Sequence, residues 1–233
     1  MEGNEVGRQW NGLPLVIFGI GGLATQVKGL VDDINKSSNN RIYDLLGYVS
    51  NNSDDIGQEV NGLKIIISND LFEDFSKKNK LLGIAIAIGA PSAKQTIEEN
   101  ILIKCDNIVC PNLIHPNANI PAGCTNDLGI GSIIFAGVSF ATNIKLGNFV
   151  VVNFNSTVGH DITIEDYCTI NPLSCISANV KVKKGSLIGA CASIKENLIL
   201  GQNSTAGLGA IVVKDIEENT TVICKAATKM EKK

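Results

Sequence analysis

Residues 146–170 read LGNFVVVNFNSTVGHDITIEDYCTI, with an apolar side chain at every sixth position: Leu146, Val152, Val158, Ile164 and Ile170. The series extends back through Phe140 and Ile134 to Leu128, and on through Ile176, Val182, Ile188, Ile194, Leu200, Ala206 and Val212. All fifteen positions are apolar in a chain that is 44% hydrophobic, a coincidence with odds on the order of one in 10⁵ even with six frames allowed. Four residues after each lies a second column, uncharged and mostly small: Ser132, Val138, Ile144, Val150, Ser156, Ile162, Cys168, Ser174, Val180, Ser186, Ala192, Leu198, Ser204 and Ala210. A period of six fits neither a helix nor an ordinary strand. It fits a solenoid with three six-residue faces per coil, in which the first column fills the interior and the second lets the chain bend into the next face. With strands stacked about 4.8 Å apart, Leu128 to Val212 makes nearly five coils, a stack about 23 Å tall.

Before Pro111 the rhythm differs. Leu15–Phe18 reads as a buried strand, leading into Gly19-Ile20-Gly21-Gly22-Leu23-Ala24 and a helix to about Lys36. Asp44–Val49 reads as a second strand, followed by the turn-rich Ser50–Asp55. Leu63–Ile67 reads as a short strand, Asn69–Lys78 as a helix, Gly83–Ile88 as a buried strand, Ala93–Ile101 as a helix and Asn107–Val109 as a closing strand. Strands alternating with helices predict a small parallel sheet of βαβ units. The expected fold class is therefore α/β plus all-β: a parallel-sheet domain over 13–112, a β-helix over 113–222 and a tail over 223–233.

Composition narrows the function. The chain has 233 residues, 18% of them charged and 5% aromatic, with a net charge of −3. That balance suits a globular, thin and repetitive β structure and offers nucleic acid no overall attraction. No apolar run approaches the ~18–20 residues of a membrane-spanning helix. The opening stretch from Met1 to Leu13 lacks the basic-then-apolar layout of a signal peptide, so a cytoplasmic address is expected. The seven cysteines, Cys105, Cys110, Cys124, Cys168, Cys175, Cys191 and Cys224, form no C-x-x-C pair and read as reduced, mostly structural thiols. The two histidines, His115 and His160, are too few for a three-imidazole site, and no metal is expected.

The hexapeptide ladder, the Gly19-Ile20-Gly21-Gly22 turn after an opening strand and the run Val158-Gly159-His160-Asp161 together resemble bacterial sugar acetyltransferases. The likeness is to those acting on UDP-4-amino-sugars in bacillosamine-type pathways and to sialic acid O-acetyltransferases, and it runs from about Leu15 to Lys229. It implies a Rossmann-like N-terminal domain joined to a left-handed parallel β-helix, a homotrimer, and acetyl-CoA held in the groove between neighbouring subunits. It places acetyl-CoA contacts at Thr169, Ala190 and Leu208, with Thr169 standing where close relatives carry a second histidine. Nucleotide-sugar contacts fall on Gly21, Gly22, Leu23, Ser50, Asn51, Gly89 and Lys94. Here Leu23 replaces a histidine of the family's glycine loop, Ser50-Asn51 replace a pair of aspartates, and Lys94 stands where relatives often have arginine. The tail reads Cys224-Lys225-Ala226-Ala227-Thr228-Lys229 in place of the family's Gly-x-Pro-Ala-Lys.

Acetyl transfer from a thioester to an amine or hydroxyl needs a base for the acceptor's proton. His160 is the best candidate, because imidazole is substantially neutral at physiological pH and the position, two after inward Val158, lets the side chain leave the coil. Asp161 beside it can fix the tautomer and stabilise the imidazolium. Cys168 belongs to the inward column and reads as inert packing, while Cys175 and Cys191 have no histidine close in sequence. The nine lysines between Lys181 and Lys233, against five acidic residues, can offer charge to the CoA phosphates. The glycine turn can admit phosphate at a helix N-terminus, but Ser50-Asn51 stand where NAD binding favours an acid. The expected activity is acetylation of the 4-amine of a nucleotide-activated sugar. The alternatives are O-acetylation of a sialic-acid-type sugar and a non-catalytic nucleotide-binding protein.

Overall fold

The structure, a computed structural model, describes residues 10–121 and 127–228; Cys124 and Lys229 lie outside them. These residues form two compact units. One reaches to Ala87 and takes back Asn100–Cys110, and the other comprises Ile88–Glu99 and the chain from Pro111 onward. The helix expected over 93–101 therefore groups with the solenoid, whereas a boundary at 112 assigned it to the sheet.

The first unit is built on strands β1 (Leu13–Phe18), β2 (Tyr43–Ser50), β3 (Glu59–Val60), β4 (Leu63–Ser68), β5 (Leu82–Ile86) and β6 (Ile108–Val109), with helices α1 (Gly22–Lys36) and α2 (Phe72–Ser76). The sheet order is β3-β4-β2-β1-β5-β6. Leu15, Val16, Ile17 and Phe18 are wholly buried, which is why β1 reads as an unbroken apolar run and not an alternating one. Helix α1 turns Ala24, Val27, Leu30 and Val31 inward, and Phe72 meets Phe18 edge-on at 4.7 Å. Two features depart from expectation. The helix read over 69–78 is a single 3₁₀ turn at Asn69–Leu71 followed by the short α2, because Asn69-Asp70 favour a turn over a helix interior. Strand β3 is new and antiparallel to β4, so the sheet is not purely parallel. It is folded back by Asn61-Gly62, both at positive φ (48° and 76°), the Asn-Gly hairpin turn.

In the second unit the six-residue period becomes three parallel sheets. A seven-stranded sheet runs from Leu113–Ile114 to Thr221–Val222, a five-stranded sheet from Asp127–Leu128 to Ile199–Leu200, and another from Ser139–Phe140 to Ile211–Val212. Val151 pairs with Thr169, and Thr169 with Leu187, each step 18 residues on. The first column is buried apart from the half-buried Leu128, and every member of the second column is buried. Four of the five inward serines find a carbonyl fifteen residues ahead, and Ser204 pairs with the Ser186 hydroxyl (3.3 Å). Ser156 donates to Asn171 O (3.0 Å), Ser174 to Gly189 O (3.0 Å) and Ser186 to Gly201 O (2.8 Å), and the Cys168 thiol reaches Lys183 O in the same way (3.2 Å).

Helix α3 (Pro91–Asn100) is fastened to this coil by side chains. The Tyr167 hydroxyl bonds Glu98, and Lys94, 0% exposed, donates from Nζ to Cys168 O (3.0 Å) and Thr169 Oγ1 (2.9 Å). No carboxylate pairs with this amine among the described residues. Burial pushes it down to about 7, the neighbouring Cys168 opposing, and a neutral amine has two N–H groups for the two acceptors present. Since the folded pKa lies below the unfolded one, near 10.4, the unfolded chain binds more protons between them and stability rises with pH there. Melting curves from pH 7 to 9.5 are expected to show the wild type gaining on Lys94→Met by up to about 1.4 kcal/mol per pH unit. A pH-independent difference would mean that the amine is charged in the fold.

Candidate active site

His160 lies at the corner between the sheet ending at Val212 and the sheet ending at Leu200, two residues after buried Val158 and two before buried Ile162. Gly159 ahead of it is set by coil stacking, for a Cβ there would sit 2.9 Å from Ala178 N. The backbone is fixed from both neighbouring coils. Asp161 N donates to Thr142 O at 3.0 Å, and His160 O accepts from Asn179 N at 3.0 Å. Asp161 takes φ 57°, a left-handed conformation that aspartate tolerates better than most residues.

The side chains are held as tightly as the backbone. His160 Nδ1 lies 2.7 Å from Asp161 Oδ2, and the Asn143 amide donates to the other carboxylate oxygen. These bonds, the histidine's first, hold the Asp161 carboxyl below its usual range. An ionised carboxylate keeps the proton on Nδ1, so Nε2 carries the lone pair. Nε2 makes no hydrogen bond among the described residues, and the imidazole is 56% exposed. Asn143 was not foreseen. Its signal was present in the 18-residue column Asn143, Asp161, Asn179, Asn197, all at positive φ.

Ala190 and Leu208 lie one coil apart at a different corner, between the seven-stranded sheet and the sheet ending at Val212. Gly209 N donates to Ala190 O (2.8 Å), and the exposed Cys224 thiol donates to Leu208 O (3.0 Å). Gly189 lets the coils touch: a Cβ there would meet Gly207 C at 2.6 Å. Ala190 is half-buried and Leu208 exposed. His160 and this pair therefore stand at opposite edges of one sheet.

Thr169 and Lys94 were expected to face ligands. Instead both are buried and bonded to each other, and Thr169 Oγ1 also donates to Gly89 O (2.8 Å). Their polar atoms serve the attachment of α3 to the coil. The Cys168 thiol is buried and pushed up to about 12 by that burial, while Cys175 and Cys191 are exposed.

In the first unit, Gly19 needs its φ of 106° and donates to Val49 O (2.9 Å), so the glycine turn and Ser50-Asn51 leave the C-terminal ends of adjacent parallel strands. Ligands of open α/β sheets bind at such ends. Gly21 caps α1 without any side-chain bond, and a Cβ at Gly21 or Gly22 would meet nothing within 4 Å. Leu23 is half-buried and Asn51 exposed. Ser50 is wholly buried, donating to Asp55 Oδ2 (2.5 Å) and accepting from Asn52 N (3.1 Å), so its hydroxyl is committed within the loop. Gly89, also open at its Cβ, belongs to the second unit with Lys94. Among the described residues no helix is long and apolar enough to cross a membrane, and no group of three or more His, Cys, Asp or Glu could hold a metal.

No family model matches the chain. It is 30% identical over 142 residues to the GDP-perosamine N-acetyltransferase of Escherichia coli O157:H7, a match spanning 61% of this chain and 61% of that protein, less than two thirds of the relative's length. In structure it is similar to PerB from Caulobacter crescentus, solved in complex with CoA and GDP-perosamine (TM-score 0.79, 22% identity, 91% of this chain and 94% of that one). It is also similar to the acetyltransferase domain of PglB from Neisseria gonorrhoeae FA1090, solved in complex with acetyl coenzyme A (TM-score 0.79, 26% identity, 94% and 100%). Through nearly its whole length the chain has the fold of sugar N-acetyltransferases that join an N-terminal Rossmann-like domain to a β-helix.

Proposed function

We propose that the protein moves the acetyl group of acetyl-CoA to the amine of a nucleotide-activated amino-sugar, with His160 as general base. The observation that carries this reading is the exposed corner where Asp161, itself held by Asn143, holds the imidazole by Nδ1 and leaves Nε2 free for the acceptor's proton. The amine attacks the thioester carbon and forms the C–N bond while His160 takes its proton. The C–S bond then breaks, and the proton passes to the departing CoA sulfur. Asp161, kept ionised, stabilises the imidazolium between these steps. No covalent enzyme intermediate is needed. The acceptor's nucleotide would meet the glycine turn, where nothing fills the space in front of Gly21 and Gly22. GDP-perosamine in the relatives, together with Leu23 and Ser50-Asn51 in place of residues of the UDP-sugar pattern, favours a GDP-sugar as first candidate. A thermal-shift panel of GDP-, UDP- and CMP-sugars, CoA and NAD checks this, since a ligand stabilises by mass action.

Acetyl-CoA would lie along the corner of Ala190 and Leu208. Because that corner and His160 are at opposite edges of one sheet, a site using both needs a second copy of the chain, which supports a homotrimer. Light scattering is expected to give three times the 24.7 kDa chain mass; a monomer at micromolar concentration would remove the shared site.

Ala190→Trp is expected to raise KM for acetyl-CoA far more than KM for the sugar. Equal effects on both would mean that the groove lies elsewhere.

His160→Ala is expected to slow transfer by roughly 10²–10⁴-fold, the usual worth of a positioned base. The fold should stay intact, because the side chain lies outside the buried columns. Asp161→Asn should cost less, and calorimetry should find acetyl-CoA binding retained in both variants. Near wild-type kcat in His160→Ala would exclude this residue as the base.

A further inference from the structure

Asn143 holds a turning position of the coil, with φ 60°, where Asn and Gly are the favoured residues. The turn by itself does not need its amide, because glycine makes the same turn without a side chain. Bonds between turns one coil apart also occur far from the candidate base. Asn203 and Asn219, both at φ 55°, are joined from Nδ2 to Oδ1 at 3.2 Å. What singles out Asn143 is its acceptor. Its amide donates to Asp161 Oδ1, and Oδ2 of the same carboxylate lies 2.7 Å from His160 Nδ1. The imidazole and the carboxylate are 56% and 46% exposed, so packing alone does not hold either in place. A second donor on the far oxygen, fixed to the preceding coil, keeps the carboxylate turned to the ring. That bond matters for a base, since whichever ring nitrogen donates to the carboxylate leaves the other to take a proton.

We propose that Asn143 is a positioning residue for the general base, locking the Asp161 carboxylate so that His160 keeps its proton on Nδ1 and its lone pair on Nε2. This rests on the acetyl-transfer reading, in which Nε2 takes the proton of the acceptor's amine. All three residues belong to the second unit. Asn143→Gly removes the amide and keeps the left-handed turn, so it separates the two roles. Asn143→Asp keeps the shape and sets a carboxylate against a carboxylate. Asn203→Gly removes a turn-to-turn bond at another corner and serves as the control.

The test uses the full chain and two readouts, nitrogen NMR of the imidazole at about pH 8, where an ordinary histidine is neutral, and steady-state kinetics with GDP-perosamine as acceptor. The chain has two histidines, so the His160 signal is identified by its loss in His160→Ala. Asn143→Gly is expected to raise the share of the Nε2–H tautomer about threefold or more and to lower kcat about fivefold to tenfold, the worth of one hydrogen bond. Both KM values should change less than about twofold, as for an interaction spent on the transition state. Asn143→Asp should lose at least as much kcat, and Asn203→Gly should match wild type. In an Asp161→Gly background, Asn143→Gly should cost nothing further, because the amide acts through that carboxylate. The proposal needs both changes in Asn143→Gly; either alone, or neither, overturns it. An equal loss in Asn203→Gly, or a loss that persists without the Asp161 carboxylate, overturns it as well. If wild type acetylates no amino-sugar, the functional reading fails, and the tautomer comparison alone decides whether Asn143 sets the ring.

Discussion

Everything in the solenoid depends on one backbone requirement: every sixth residue must turn with positive φ. From Gly131 to Gly209 all fourteen such positions do so, nine of them Gly or Asn. L-residues resist this conformation unless small or able to bond locally. Two of the five exceptions are supported by what surrounds them. Phe149 and Tyr167, both left-handed, have parallel rings with centroids 6.0 Å apart, and the Lys184 ammonium sits 5.1 Å from the Tyr167 ring centre. Burial and stacking there offset the strain of bulky side chains at φ > 0.

The same requirement decides where chemistry can be placed. Within each six-residue face two positions are taken by the interior, and one must turn. The residue just before the turn is the one that leaves the coil, and His160, Ala190 and Leu208 all occupy that place. The turning residue after His160 is Asp161, so the geometry that bends the chain also brings the carboxylate to Nδ1. Asn143, at the same place one coil earlier, reaches the carboxylate's other oxygen. An 18-residue repeat thus brings together three residues from two coils without any loop of their own.

Much of this was legible in the chain. The aliphatic ladder marks one inward column, and the serine-rich second column is inward too because four of its five serines and the Cys168 thiol reach a carbonyl fifteen residues on. The Asn and Gly column of the corners was equally visible at the same period. A hydrophobic ladder says nothing of φ, so it does not mark these corners. Likewise Asn61-Gly62 announces a hairpin, but two-residue strands carry no periodicity to support it. For Lys94 the reason is different. The resemblance puts it among the nucleotide-sugar contacts, and only the tertiary fold supplies a buried carbonyl and a threonine 74 and 75 residues away. Ser50 misled similarly, since its hydroxyl is turned to Asp55 within its own loop.

The stack also has to end. Its final coil is two residues short, with Thr205 paired to Thr221 and Leu200 bridged to Ile216, each 16 positions on. The shortened corner lacks the left-handed turn, and Asp215 Oδ1 accepts from Ile199 N at 2.8 Å, where a backbone carbonyl would otherwise continue the ladder. An open end of a parallel β-helix is a template for another molecule's strands. Here an incoming strand would find its ladder donor already occupied by a carboxylate and the aliphatic column out of step. At this edge the ladder is closed from within the chain, by a two-residue deletion and one aspartate.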